Sequence, residues 1–242
     1  MKKTIVITGA SRGIGKAIAI ALAGKDTNIV INCVNNVDKL NGVKSIIEEK
    51  GSVCETFIGD MGNYSDVQKM FDMCLQRFGQ VDVLINNAGI SVVGLFQDMG
   101  ENEWHRICNT NIDSVFNCCH FAVKDMMKRH CGKIINISSV WGLYGASCEV
   151  AYSATKGAVN SFTKALAKEL APSGIQVNAV ACGAIDTEMN GHLSDDDKAE
   201  LAEEIPAGRF GSPQEVAKLV KSLSGMNSYL TGQIITLDGG WI

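Results

Sequence analysis

Short runs of β-branched and apolar residues alternate along the whole chain with longer segments of helical periodicity. That alternation leaves few folds open. Each strand, helix, strand succession makes a βαβ unit, and repeated units build a parallel sheet covered by helices on both faces. The strand candidates are Thr4–Thr8, Asn28–Cys33, Val53–Ile58, Val81–Asn86, Gly132–Ser138, Ile175–Ala181 and Gln233–Leu237. Between them, Ile14–Ala23, Asp38–Lys50, Ser65–Phe78, Glu101–Arg129, Tyr152–Leu170 and Pro213–Leu223 carry apolar residues at helical spacing. The expectation is an α/β fold: a doubly wound, seven-stranded parallel sheet with helices on both faces.

With 242 residues and no linker, repeat or low-complexity tract, the chain reads as one domain spanning 1–242. A net charge of −4 with dispersed Lys and Arg argues against a nucleic-acid surface and against an anionic-membrane anchor. The N-terminal apolar run is too short for a signal peptide, and no later segment suits a membrane span. Nine cysteines without framework spacing, most of them inside apolar runs, fit free thiols in a reducing, cytoplasmic compartment. His105, His120, His130 and His192 show no metal-ligand spacing, so no metal site is expected. The implied partner is a small molecule.

One stretch interrupts the rhythm. Residues 186–206 are polar and acidic, and Ser194 before three aspartates reads as a capped helix start. The segment follows a strand's carboxyl end, where open α/β sheets bind ligands, and reads as a substrate lid. A solvated surface helix is the plainer alternative.

The turn Thr8-Gly9-Ala10-Ser11-Arg12-Gly13-Ile14-Gly15 lies between the first β-branched run and an amphipathic helix. Gly9, Gly13 and Gly15 let the backbone approach a pyrophosphate, whose charge would rest on the helix N-terminus. This is a Rossmann-type dinucleotide site, although the gap between its first two glycines is wider than in G-x-G-x-x-G. Tyr152 and Lys156 stand one helical turn apart on one face, so the ammonium can stabilise a phenolate and let the tyrosine act as acid and base. Glycine turn, tyrosine and lysine together read as hydride transfer between a nicotinamide dinucleotide and a carbonyl.

The turn Thr8–Gly15, Asn86-Asn87-Ala88-Gly89, Ser139, Tyr152-Ser153-Ala154-Thr155-Lys156 and the terminal Asp238-Gly239-Gly240 together resemble the short-chain dehydrogenase/reductase family across essentially the whole chain. The resemblance implies that Ser11, Arg12 and Ile14 join the glycines around the cofactor, that Asp60 and Met61 lie near the adenine, and that Asn87, Ala88 and Gly89 follow the ribose. It implies that Ser139, thirteen residues before the tyrosine, holds the substrate oxygen, with Ser138 a neighbouring rival. Asn111 would hold a water connecting the lysine to solvent, and Tyr152 and Lys156 would also touch the cofactor. Gly183, Ile185 and Thr187 would meet the carboxamide, although Cys182 replaces the family's usual proline and is expected to leave that loop less constrained.

Cofactor choice rests on the end of the second strand. An NAD enzyme carries an acid there to bind the ribose hydroxyls, but Asn32-Cys33-Val34-Asn35-Asn36 has no carboxylate, while Arg12 can reach a 2′-phosphate. NADP(H) is therefore expected.

Within the family, Thr8–Gly15, Met126–His130, Ala165–Leu170 and Pro206-Ala207-Gly208-Arg209 resemble the β-ketoacyl-[acyl-carrier-protein] reductases of bacterial fatty-acid synthesis. Lys128 and Arg129 could then meet an acidic acyl carrier protein or simply complement a helix end. The arginine often found at the position of Ser173 is missing. Ser147-Cys148-Glu149-Val150, Trp141-Gly142 and Met189-Asn190 resemble instead reductases of a ketone-bearing lysine modification on elongation factor P, where Glu149 and the lid acids could attract an amine. Hydroxysteroid and sugar-alcohol dehydrogenases share the scaffold, and an inactive nicotinamide-binding sensor or scaffold is the reading from another class. The long apolar faces of Glu101–Arg129 and Tyr152–Leu170 imply, by resemblance, a homotetramer or dimer.

Overall fold

The computed structural model describes residues 2–191, 193–225 and 229–242, so His192 lies outside the described residues. Seven strands form one sheet in the order β3-β2-β1-β4-β5-β6-β7, and every neighbouring pair is parallel. They are β1 Lys3–Ile7, β2 Thr27–Cys33, β3 Val53–Ile58, β4 Val83–Asn86, β5 Gly132–Ser139, β6 Ile175–Cys182 and β7 Ile234–Leu237. The chain winds outward from β1 through β2 and β3, then restarts on the other side at β4. The strand order therefore reverses between β1 and β4, and the loops leaving those two strands part to open a crevice. This is the expected doubly wound Rossmann-type sheet.

Strand residues alternate between two buried apolar layers. Ile5, Ile7, Ile29, Ile31, Ile85 and Ile135 pack with α1 (Gly13–Leu22), α2 (Val37–Glu49) and α9 (Pro213–Gly225). Val6, Val30, Leu84, Ile134 and Val177 pack with α3 (Tyr64–Phe78), α5 (Ser114–Arg129) and α7 (Val150–Leu170). Burying each such side chain contributes about 1.5–3 kcal/mol, so the two layers fix which face every strand residue takes and hence the register. Among the described residues no helix is long and apolar enough to cross a membrane.

Several elements depart from the sequence expectation. The helix expected over Glu101–Arg129 is divided into α4 (Glu101–Cys108), one wide π-turn over Asn109–Asp113, and α5. Such a turn takes in an extra residue, and here it delivers the buried Asn111 side chain to the loop after β4 and to α7. A short helix, α6 (Trp141–Tyr144), was not expected, and α7 begins two residues before Tyr152. β1 ends at Ile7, one residue before the expected Thr8, whose hydroxyl accepts from the Asn87 and Ala88 amides. In the stretch 186–206, Ser194 caps α8 (Asp195–Glu204) by accepting from the Asp197 amide, while the Asp197 carboxylate accepts from the Ser194 amide.

Candidate active site

The glycine turn occupies the crevice beside β1. Gly9 and Gly13 have φ of +64° and +53°, conformations in which a side chain is strained. A Cβ on Gly15 would stand 2.3 Å from the Gly9 carbonyl oxygen and 2.4 Å from Asn87 Nδ2, so only glycine lets α1 start this close. The loop after β4 is fastened to the same turn. Asn87 Nδ2 donates to the Thr8 and Gly9 carbonyls at 3.0 and 2.9 Å, and the Asn87 and Ala88 amides both donate to Thr8 Oγ1 at 3.0 Å.

No side chain caps the N-terminus of α1 and no acid stands in its first turn. Its leading amides and positive dipole end are left for an anion, as a dinucleotide pyrophosphate requires. Ser11, Arg12, Gly13 and Ile14 line this part of the cleft. Cys33, Val34, Asn35 and Asn36 continue the wall without a carboxylate, followed by Asp60 and Met61. Arg12 is exposed, and its guanidinium has no hydrogen-bond or ion-pair partner among the described residues. Asp60 is held from both sides, accepting from the Gly62 amide at 2.9 Å and from Asn109 Nδ2 at 3.2 Å.

The other end of the cleft gathers Ser139 from the end of β5 with Tyr152 and Lys156 from the first turns of α7. Lys156 is buried, donates to the Ile137 carbonyl at 2.9 Å, and holds its ammonium 5.6 Å from the centroid of the Tyr152 ring. Loss of solvent pushes its pKa down to about 8. The same cause pushes the half-buried Tyr152 phenol up, while Ser139 pulls it back. Burial outweighs the Ser139 hydrogen bond in this arrangement, and the tyrosine stands ready as a proton donor. Asn111 Oδ1 accepts from the Ile90 amide at 2.8 Å, and its Nδ2 donates to the Ile90 carbonyl and to Thr155 Oγ1. A Cβ on Gly89 would meet Asn111 Oδ1 and Lys156 Nζ at 3.4 Å each, so these two groups flank the same glycine.

Gly183, Ile185 and Thr187 line the cleft after β6. The loop lacks the proline yet is firmly tied, contrary to expectation. Gly183 donates to Leu237, Gly211 donates to Ala184, and Asp186 donates to Gly211, each at 2.9 Å between backbone groups. The register sets Cys182 beside Ser139, and burial pushes its thiol up to about 12, which keeps it neutral and unreactive. Arg129 does not line the cleft. It pairs with Asp125 and Asp82 and donates to the Val81 carbonyl, near the entry to β4.

Two lining residues, Ser91 and Trp241, escaped the sequence reading. Ser91 donates to Glu149, and both border the cleft. Trp141 and Trp241 line it as an edge-on pair with centroids 4.9 Å apart. Thr8, the first residue of the glycine turn, holds the two loops together through its hydroxyl. Local pattern carried no sign of Ser91 or Trp241, because their neighbours in space are far away in sequence. The cleft, open to solvent, offers about 1460 Å³, more than a single small ligand needs.

Comparison with known proteins agrees with this geometry. Residues 3–198 match the family model for short chain dehydrogenase. The 3-oxoacyl-[acyl-carrier-protein] reductase FabG of Staphylococcus epidermidis is 40% identical over 241 residues, covering 99% of both chains. FabG of Staphylococcus aureus is also 40% identical, covering 99% of this chain and 98% of its own. That of Chlamydia trachomatis is 37% identical, with 99% and 97% covered. A parallel sheet reversing at a glycine turn, a Ser, Tyr and Lys gathered at the far end of one cleft, and a family match across most of its length together identify the chain as a member of the short-chain dehydrogenase family, an oxidoreductase acting on CH–OH and C=O groups.

Proposed function

We propose that the protein is an NADPH-dependent carbonyl reductase that converts a 3-oxoacyl thioester to its 3-hydroxyacyl product, on acyl carrier protein in fatty-acid synthesis. The observation that carries the reading is one cleft joining an acid-free ribose wall and an Arg12 without a partner among the described residues at one end to Ser139, Tyr152 and Lys156 at the other. The 40% identity to proteins named 3-oxoacyl-[acyl-carrier-protein] reductase supports the substrate.

When bound, NADPH supplies the hydride for the carbonyl carbon. The protein does the rest. Gly9, Ser11, Gly13, Ile14 and Gly15 would seat the pyrophosphate, and Arg12 would pair with the 2′-phosphate. Asp60 and Met61 would border the adenine, Asn87, Ala88 and Gly89 the ribose, and Gly183, Ile185 and Thr187 the carboxamide. Ser139 donates to the ketone oxygen and orients it. Tyr152 delivers its proton to that oxygen as negative charge develops, and the raised phenol pKa keeps the proton available until then. Lys156 would hold the cofactor ribose and offset the phenolate, while Asn111 would lead its proton supply outward. The chain works as one unit over 1–242, with 186–206 as a lid, in the cytoplasm and as a homotetramer or dimer.

A second reading is favoured by Glu149. Its carboxylate lies in the substrate end of the cleft, where it would attract an ammonium-bearing ketone such as a modified lysine on elongation factor P. Oxidation of NADPH by the purified protein with an acetoacetyl thioester, beside NADH and a Tyr152→Phe control, tests both. Fast NADPH-selective turnover lost in the control supports the thioester reading. Tight NADPH binding with an idle thioester moves the substrate to the amine-bearing ketone.

A further inference from the structure

We propose that Trp241, delivered by the C-terminal tail onto Trp141, is a substrate-positioning residue whose indole sets how long an acyl group can extend from the reacting carbonyl. The inference rests on the carbonyl-reductase reading above. Both indoles line the cleft and both are only half-buried, although the chain encloses other large aromatics such as Phe71 completely. Half-exposed tryptophans facing each other inside a cleft leave apolar surface for a ligand to cover.

Each indole is held by the frame. The Trp141 amide donates to Ser139 Oγ at 3.2 Å, which places this residue against the serine that holds the ketone oxygen. Trp241 follows two left-handed glycines, Gly239 at φ +71° and Gly240 at +82°, which turn the chain back after β7. The Asp238 carboxylate accepts from the Gly240 and Ile242 amides at 3.0 and 3.2 Å on either side of the tryptophan. The Gly239 carbonyl accepts from the Ala207 amide at 3.1 Å, just beyond α8, so the tail and the end of the acidic segment are joined. A tail fastened at three points around one aromatic residue does not leave that residue's place to chance. The pair meets at 63°, an edge-on contact that keeps one indole face turned away from its partner.

Trp241→Ala opens this wall and leaves the glycine turn at the far end of the cleft untouched. The experiment compares wild type, Trp241→Ala and Trp241→Phe on acetoacetyl and 3-oxooctanoyl thioesters and on a short amino ketone, with NADPH affinity measured alongside by fluorescence. Expected is a KM for the acetoacetyl thioester raised about tenfold in Trp241→Ala, a preference ratio shifted toward the longer thioester, unchanged NADPH affinity, and most of the loss restored in Trp241→Phe. An unchanged KM and an unchanged length preference in Trp241→Ala would overturn the proposal while leaving the reductase reading intact. If the wild type reduces only the amino ketone, the thioester reading fails and the wall is judged by the same KM comparison on that substrate. A wild type idle on every ketone removes both.

Discussion

The two ends of the cleft are built by different means. At the cofactor end the backbone is held at close quarters: the Thr8 hydroxyl and the Asn87 amide tie Thr8 and Gly9 to Asn87 and Ala88 by four hydrogen bonds of 2.9–3.0 Å, and Gly15 has no room for a Cβ. At the substrate end, side chains from distant loops converge, including Glu149, Trp141 and Trp241, and most keep some exposure. A ligand that never changes can be met by fixed backbone, which tolerates almost no substitution. A surface made of side chains can be altered one residue at a time without moving the sheet, so substrate preference can diverge while the cofactor stays.

The sharpest break of this contrast is Gly15→Ala. The added methyl group would sit 2.3 Å from a backbone oxygen and 2.4 Å from a fixed amide, so the α1 start must shift away from the turn. We expect NADPH binding to fall beyond detection in a fluorescence titration and stability to drop by about 1–3 kcal/mol in a denaturant melt. Normal NADPH binding by the Gly15→Ala variant would mean that the cofactor end is as forgiving as the substrate end. Next in size is Tyr152→Phe, which removes the proton donor and leaves the ring in place. Turnover is expected to fall by about 10²–10⁴-fold with NADPH affinity within about twofold of wild type. Near-normal turnover would remove Tyr152 from the mechanism.

This difference in construction also explains what the sequence made legible. The sheet was readable because β-branched runs and glycines act locally, and the strand boundaries came within a residue or two of the observed ones. Asn111 was identified as a site residue by family resemblance, but the π-turn that delivers it was hidden, since the periodicity of Glu101–Arg129 reads through it as one helix. Trp241 gave no signal at all, because its partner Trp141 is 100 residues away and only the tail's turn brings them together. The missing proline before Gly183 suggested a looser loop, yet backbone bonds to β7 and Gly211 hold it, a compensation invisible without the pairing partners.

Lys156 links the two ends and gives a milder, pH-dependent test. Burial has lowered its pKa to about 8 before any cofactor is present. If its ammonium binds the cofactor ribose, the bound state favours the protonated form and raises that pKa. Below about pH 8 the proton is already in place and affinity is flat. Above it, binding must take up a proton, so NADPH affinity should fall by up to about tenfold per pH unit. Titrations from about pH 6.5 to about 9.5 measure the slope, and a flat profile would show that the ammonium does not contact the cofactor.

The smallest effect is expected where the two regions touch through exposed charge. Lys39 on α2 approaches Glu188, in the segment after β6, at 3.9 Å, with both side chains more than half exposed. A pair of this kind is worth less than about 1 kcal/mol and is screened by salt. Lys39→Ala should therefore change the KM for NADPH and for the ketone by no more than about threefold, with the difference vanishing at high salt. A larger loss confined to NADPH, with NADH unaffected, would reassign Lys39 to the 2′-phosphate beside Arg12. A larger loss shared by both cofactors and the ketone would mean that α2 and the segment after β6 close together over the cleft, so that the two ends, built so differently, answer to one motion.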